Sequence, residues 1–147
     1  MTTNQYPEGH LEGNSVSHQV YDHKNNRFNR EYIVVTAVTP PAPDGACKHY
    51  SIAAVIPAQT SDGSEQVVNQ STLDFQDGSI AEVGPNGITD QALLAVVLDR
   101  MRGFNNGPYR CRENSVIITK IEEALMWMEK RSNDRARQNI DGVRNLG

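Results

Sequence analysis

Gly84-Pro85-Asn86-Gly87-Ile88-Thr89-Asp90-Gln91-Ala92-Leu93-Leu94-Ala95-Val96-Val97-Leu98 is the stretch on which the fold turns. Gly and Pro at 84–87 stop the element before them. Thr89 has a hydroxyl suited to an N-cap, and Asp90 falls in the first turn, where the helix macrodipole favours negative charge. Ile88 and Leu93 stand at the two positions of a hydrophobic staple. The pattern predicts a helix running to about Phe104. Its run from Ala92 to Leu98 is apolar nearly all round, so burial on more than one side is expected. Asn105-Asn106-Gly107-Pro108 breaks this helix, and a second, longer one is predicted from about Tyr109 to Asn133, continuing toward Asn139. So short a linker makes the two helices antiparallel neighbours.

Upstream the pattern changes period. Glu31-Tyr32-Ile33-Val34-Val35-Thr36-Ala37-Val38 is rich in β-branched residues and stops at Pro40-Pro41, which predicts a strand. Pro43-Asp44-Gly45 turns the chain into a second strand, Tyr50 to Ile56, closed by Pro57. A third is predicted over Gln66–Phe75, and Asp77-Gly78 reads as a hairpin turn before a fourth, Ile80–Val83. Residues 1–30 are polar and without periodicity, and are expected to form a flexible arm. The expected fold is therefore α+β: residues 31–147 as one domain, with a small antiparallel β-sheet over 31–84 followed by a C-terminal antiparallel helical hairpin and tail over 88–147.

Composition narrows the function classes. The chain of 147 residues has length for one modest core, and no apolar run is long enough to span a membrane. Its first residues lack the basic and apolar regions of a secretory signal. The two cysteines, Cys47 and Cys111, have neither disulfide-framework nor metal spacing, which suits a reducing compartment. The net charge of −4 argues against binding DNA or RNA. That sum hides an asymmetry: residues 1–99 hold 4 Lys/Arg against 12 Asp/Glu, whereas residues 100–147 hold 10 against 6. An anionic partner would be received by the second half.

On the second helix, Asn114, Ile117, Ile121, Ala124, Met128, Arg131 and Arg135 recur at spacings of 3 and 4 and share one face. On the first helix, Leu94, Val97, Met101 and Phe104 make the matching stripe. The apolar middle reads as the hairpin seam. Arg131 and Arg135 either snorkel to solvent or clamp an anion. Phe104 is either an exposed platform for a base or the last core residue of its helix, and Trp127, on the flank of the stripe, reads as packing. Arg100, Arg102, Arg110 and Arg112 make a basic cluster at the loop, where the plain role is solubility. Asn114 and Arg131 lie seventeen residues apart, about 25 Å along a straight helix. A small ligand touching both would need a site shared between protomers, hence a dimer or larger assembly.

Evidence for chemistry is thin. Glu122 and Glu123 are adjacent and point different ways, and His10, His18, His23 and His49 have no ligand spacing, so no metal is expected. There is no Gly-rich phosphate loop and no nucleophile elbow. Neither catalytic residues nor a cofactor are expected.

The second half also resembles a known family. Phe75 to Thr89, Asp99-Arg100 with Gly103-Phe104, Cys111-Arg112-Glu113-Asn114, Thr119 to Trp127, Arg131 with Asp134-Arg135, and Asp141-Gly142-Val143 are similar to the first-described Thoeris anti-defence sponges of phages. They share a helical hairpin with anti-CBASS proteins. The resemblance covers about residues 73–143; the N-terminal tail is longer than that family implies, and Gln138-Asn139-Ile140 replaces a Gly-rich lead-in. It implies a non-enzymatic homodimer or hexamer in the host cytoplasm that sequesters cyclic ADP-ribose isomers made by TIR-domain enzymes. Some members also take cyclic di- or trinucleotides. By position it implies that Phe104 stacks the base, Asn114 hydrogen-bonds the ligand, and Arg131 and Arg135 meet the pyrophosphate from the partner chain. The alternative is a structural module whose hairpin serves only oligomerisation.

Overall fold

The computed structural model describes residues 17–57 and 63–146, with side chains to residue 138. The chain divides into two compact units, Met1–Ile88 and Thr89–Gly147. The fold is α+β, a four-stranded antiparallel sheet followed by helices.

In the first unit the sheet order is β1-β2-β3-β4: β1 (His18–Gln19), β2 (Ile33–Ala37), β3 (His49–Ile56) and β4 (Gln66–Asp74). β2 and β3 pair from Ile33↔Ala54 to Ala37↔Tyr50, the two β-branched runs lying side by side. β3 and β4 pair from His49↔Asp74 to Ile56↔Gln66; Ala54 meets Asn69 and Val55 meets Val67, which leaves Val68 as a bulge. Ala37, Cys47 and Val55 form the buried centre, and the Tyr50 and Phe75 rings meet edge-on at 5.6 Å. Both cysteines are free thiols, Cys47 buried and Cys111 exposed.

Two expectations change here. The chain before β2 is helical: Asn26 Oδ1 accepts from the Phe28 amide at 2.8 Å and starts α1 (Arg27–Tyr32), which an Arg27–Glu31 pair at 3.1 Å spans. The cap takes Glu31 and Tyr32 out of the strand predicted for them; β1 lies wholly, and α1 in its first four residues, within the 1–30 stretch expected to be an arm. Ile80–Val83 is not a strand either. It forms one helical turn, α2 (Ile80–Val83), because Ser79 with Glu82 three residues on is a capping sequence, and Ser79 Oγ accepts from the Glu82 amide at 3.2 Å. The fourth strand is instead β1, at the opposite edge of the sheet from β4.

The segment after β4 is fixed by two side chains. Gln76 Nε2 donates to the Gly84 carbonyl at 2.9 Å, and Gln76 Oε1 accepts from the Asn86 amide at 2.9 Å. Asn86 Oδ1 accepts from the Asp77 amide at 2.8 Å, and its Nδ2 donates to the Asp77 carbonyl at 2.7 Å. Ile88 and Asp74–Gln76 then exchange backbone bonds at 2.8 Å. This brings Gly87 so close that a Cβ there would lie 2.5 Å from the Phe75 carbonyl carbon.

The second unit is the hairpin of α3 (Asp90–Asn106) and α4 (Arg112–Leu146). Thr89 Oγ1 accepts from the Ala92 amide at 3.2 Å, the cap that the sequence predicts. Arg102–Glu122 at 3.4 Å and Asn105–Ser115 at 3.3 Å hold the helices antiparallel. The seam is rotated from the predicted stripe. Leu94, Leu98, Met101 and Asn105 face Asn114, Ile118, Ile121, Leu125 and Met128, with Leu98 the most buried. Val97 and Ile117, assigned to the seam, are each 40% exposed. Leu98 reaches further across the seam than β-branched Val97, and Asn105 has a hydrogen-bond partner in Ser115. The expectation that α3 is covered on several sides does not hold within this unit, since Val96 and Val97 are exposed. At about 100° per residue, Val97 and Phe104 on α3 and Ile117 and Arg131 on α4 fall to the same side of the seam.

Candidate functional site

The second half of α4 carries the candidate site. Its side chains emerge every three or four residues on one surface: Trp127, Lys130, Arg131, Asp134, Arg135 and Gln138 line a single depression of about 320 Å³. All six come from one helix, so the depression is shallow and open along one side. Lys130 Nζ donates to Asp134 Oδ2 at 2.7 Å across one helical turn. That bond, together with the charges of Lys130 and Arg137, holds the Asp134 carboxyl below its ordinary range. Asp134 therefore stays ionised and compensates Lys130.

Arg131 and Arg135 have no such partner among the described residues: no carboxylate there lies within ion-pair distance of either guanidinium. Both are exposed, and they stand one turn apart. Two uncompensated guanidinium forks, about 6 Å apart along the axis, match the reach of adjacent phosphate groups.

Phe104 and Asn114 sit at the other end of the hairpin. Phe104, in the last turn of α3, is 41% exposed, and the Arg100 guanidinium lies 5.5 Å from its ring centre. That cation rests against the ring one turn before it, and it is the distance at which a cation–π attraction operates. Asn114 is half-buried, and its Nδ2 donates to the Tyr109 carbonyl at 2.9 Å, which closes the interhelical loop. Its amide oxygen is the atom left for an incoming donor. The structure thus brings Arg131 and Arg135 together and brings Phe104 near Asn114. It does not unite the two pairs within one chain, since α4 runs about 25 Å between them.

Two residues beside the arginines were not assigned a site role from sequence. Lys130 lies off the apolar stripe, where a charged side chain gives no signal of its own. Trp127 was read as packing, yet it is 63% exposed. The signal that could have found it is the spacing Trp127–Arg131–Arg135, four and four, which places an aromatic ring and two cations on one helical surface. Among the described residues, no group of three or more His, Cys, Asp or Glu side chains could hold a metal ion, and no helix is long and apolar enough to cross a membrane.

Fold and site together define a helical-hairpin protein with two exposed arginines, one turn apart, in the second half of its long helix. Residues 70–132 match the family model described as the Acb2/Tad1 hairpin domain. The chain is also 43% identical over 72 residues to a protein named Thoeris anti-defense 1 from Bacillus phage SBSphiJ7; the aligned region is 49% of this chain and 51% of that relative. The chain spans about half the length of the curated relative it matches. The family match overlaps, over residues 73–132, the stretch that resembles the Thoeris anti-defence sponges. The matched segment includes Phe104, Asn114 and Arg131 and ends before Arg135.

Proposed function

We propose that the protein is a phage anti-defence sponge that sequesters cyclic ADP-ribose isomers, the second messengers of TIR-based Thoeris immunity, in the host cytoplasm. The observation that carries this reading is the pair of guanidiniums, Arg131 and Arg135, without a carboxylate partner among the described residues, in a chain that matches the Acb2/Tad1 hairpin model and is similar to a named Thoeris anti-defense protein. Charge-assisted hydrogen bonds from both arginines hold the pyrophosphate, and Phe104 and Asn114 engage the base and its neighbouring hydroxyls. Because those two pairs lie about 25 Å apart along the hairpin, the working site is formed between protomers of a homodimer or hexamer. Cyclic di- or trinucleotides are further candidates, as anions of the same kind.

Affinity here needs no bond to break, and the site supplies no nucleophile–base pair. The messenger is therefore held intact. Loading the protein with cyclic ADP-ribose isomers, denaturing the complex and separating the released ligand by chromatography tests this directly. Unchanged ligand is expected, and a linear or hydrolysed product would make the protein an enzyme.

A second reading, an interaction module whose hairpin serves only oligomerisation, is favoured by the exposed Val97 and Ile117 on one side of the seam. A thermal-shift panel separates the two: a ligand bound only by the native state raises the melting temperature, and an inert module shows no shift.

A further inference from the structure

The aromatic ring nearest the arginines is not Phe104 but Trp127. We infer that Trp127 is a base-stacking wall of the nucleotide site, on the same chain and the same helical surface as Arg131 and Arg135. The inference rests on the nucleotide-binding reading above and goes beyond it, since the four residues implied by the family resemblance do not include Trp127.

Three observations carry it. First, Trp127 is 63% exposed although it is the largest apolar side chain in the hairpin, so it is not covered by the seam. Leaving an indole in water is unfavourable unless something covers it part of the time. Second, it lines the same depression as Lys130, Arg131 and Arg135, with Arg131 one turn further on and Arg135 two turns on, about 6 and 12 Å along the axis. Within one nucleotide a base and its pyrophosphate are separated by a single ribose, so a phosphate held at the arginines leaves the base within reach of the indole. Third, the ring is open. No cation or second ring among the described residues rests on Trp127, whereas Arg100 already stands over Phe104. Indole is also the strongest of the aromatic platforms for a purine or a cationic base.

The chain has one tryptophan, so its emission reports this position alone. Cyclic ADP-ribose is titrated into the full-length protein while emission is followed, with calorimetry on the same samples. Saturable quenching with the calorimetric midpoint is expected. Trp127→Ala should weaken cyclic ADP-ribose binding by about tenfold or more, with Trp127→Phe intermediate. Inorganic pyrophosphate has no base to stack, so its affinity should be unchanged in Trp127→Ala and lost in Arg131→Ala. Light scattering on each variant checks that the assembly survives. If both anions bind by calorimetry while the wild-type emission stays flat, the nucleotide site stands and the inference about Trp127 is wrong. If Trp127→Ala alters the assembly and affects both anions equally, the residue belongs to a protein–protein seam, which also overturns it. If neither anion gives heat, the reading of the site fails and this inference goes with it.

Discussion

Replacing Arg131 or Arg135 by alanine should separate binding from folding. Each guanidinium is exposed, neither has a carboxylate within ion-pair distance among the described residues, and neither lies on the seam of Leu98, Ile118, Ile121 and Leu125. Truncation therefore opens no cavity and orphans no buried charge, and the change in stability should stay within about 0.5 kcal/mol, as for ordinary surface substitutions. A hydrogen bond to a charged group contributes about 1.5–3 kcal/mol. Each variant should thus bind cyclic ADP-ribose roughly 10- to 150-fold more weakly at unchanged melting temperature. Calorimetry and thermal unfolding on the same preparations read both quantities. Equal affinity in wild type and both variants would refute the assignment. A loss of melting temperature matching the loss of affinity would show that the arginines hold the assembly rather than the ligand. The shared-site geometry has its own test in a purified mixed dimer of Phe104→Ala and Arg131→Ala chains. If loop and arginines meet in trans, one of the two sites carries both lesions and the other neither, so about half of the sites regain wild-type affinity. No high-affinity sites in the mixed dimer would mean that the trans arrangement is wrong and that the arginines act within their own chain or not at all.

Gly87→Ala should destabilise the sheet unit by about 1–3 kcal/mol or more, the range for overpacking, because the added Cβ would lie 2.5 Å from the Phe75 carbonyl carbon; an unchanged urea midpoint would contradict this close approach. Asp134 has its pKa lowered from 3.8, so its pairing with Lys130 favours the folded helix above that value and fades only as pH falls through the lower folded one. A carbon-detected NMR titration should place the Asp134 midpoint below 3.8, moving up toward the ordinary value in Lys130→Ala, where only the Arg137 charge still lowers it. Between pH 5 and 8, well above the ordinary aspartate pKa of about 3.9, ligand affinity should show no step from this group, and a step that persists in Asp134→Asn would implicate another residue. Light scattering at micromolar concentration should give a mass of at least twice the 16.3 kDa chain, and a monomer would end the shared-site arrangement.

The parts of the fold that were legible in the sequence are those decided locally. Thr89 with Asp90 marks the start of α3, and the β-branched runs mark β2 and β3, because a cap or a strand preference depends on the residue and its near neighbours. Short segments were not legible. Ile80–Val83 has strand-forming side chains, but four residues give propensity little weight against the Ser79 cap and the Gln76–Asn86 clamp, whose atoms lie up to ten residues apart. The two residues of β1 have no periodicity of their own and exist because β2 offers them an edge.

The hairpin seam shows the same limit at the site itself. Leu94 and Met101 fit both the predicted register with Val97 and Phe104 and the observed one with Leu98 and Asn105, so the pattern on α3 alone is degenerate. The choice is made across the loop by the Asn105–Ser115 bond and by the reach of Leu98, neither of which a single helix reveals. Rotating the seam by this amount carries Val97 and Ile117 out of it and leaves Trp127 exposed beside the arginines. The position read as packing and the open wall of the depression are thus the same residue under two registers. Arg131 and Arg135 were legible because two charges continuing an apolar stripe conflict with burial whichever register is chosen. An aromatic ring carries no such conflict. Its role depends on which side of α4 faces α3, and Trp127 becomes a candidate for ligand contact only once that side is known.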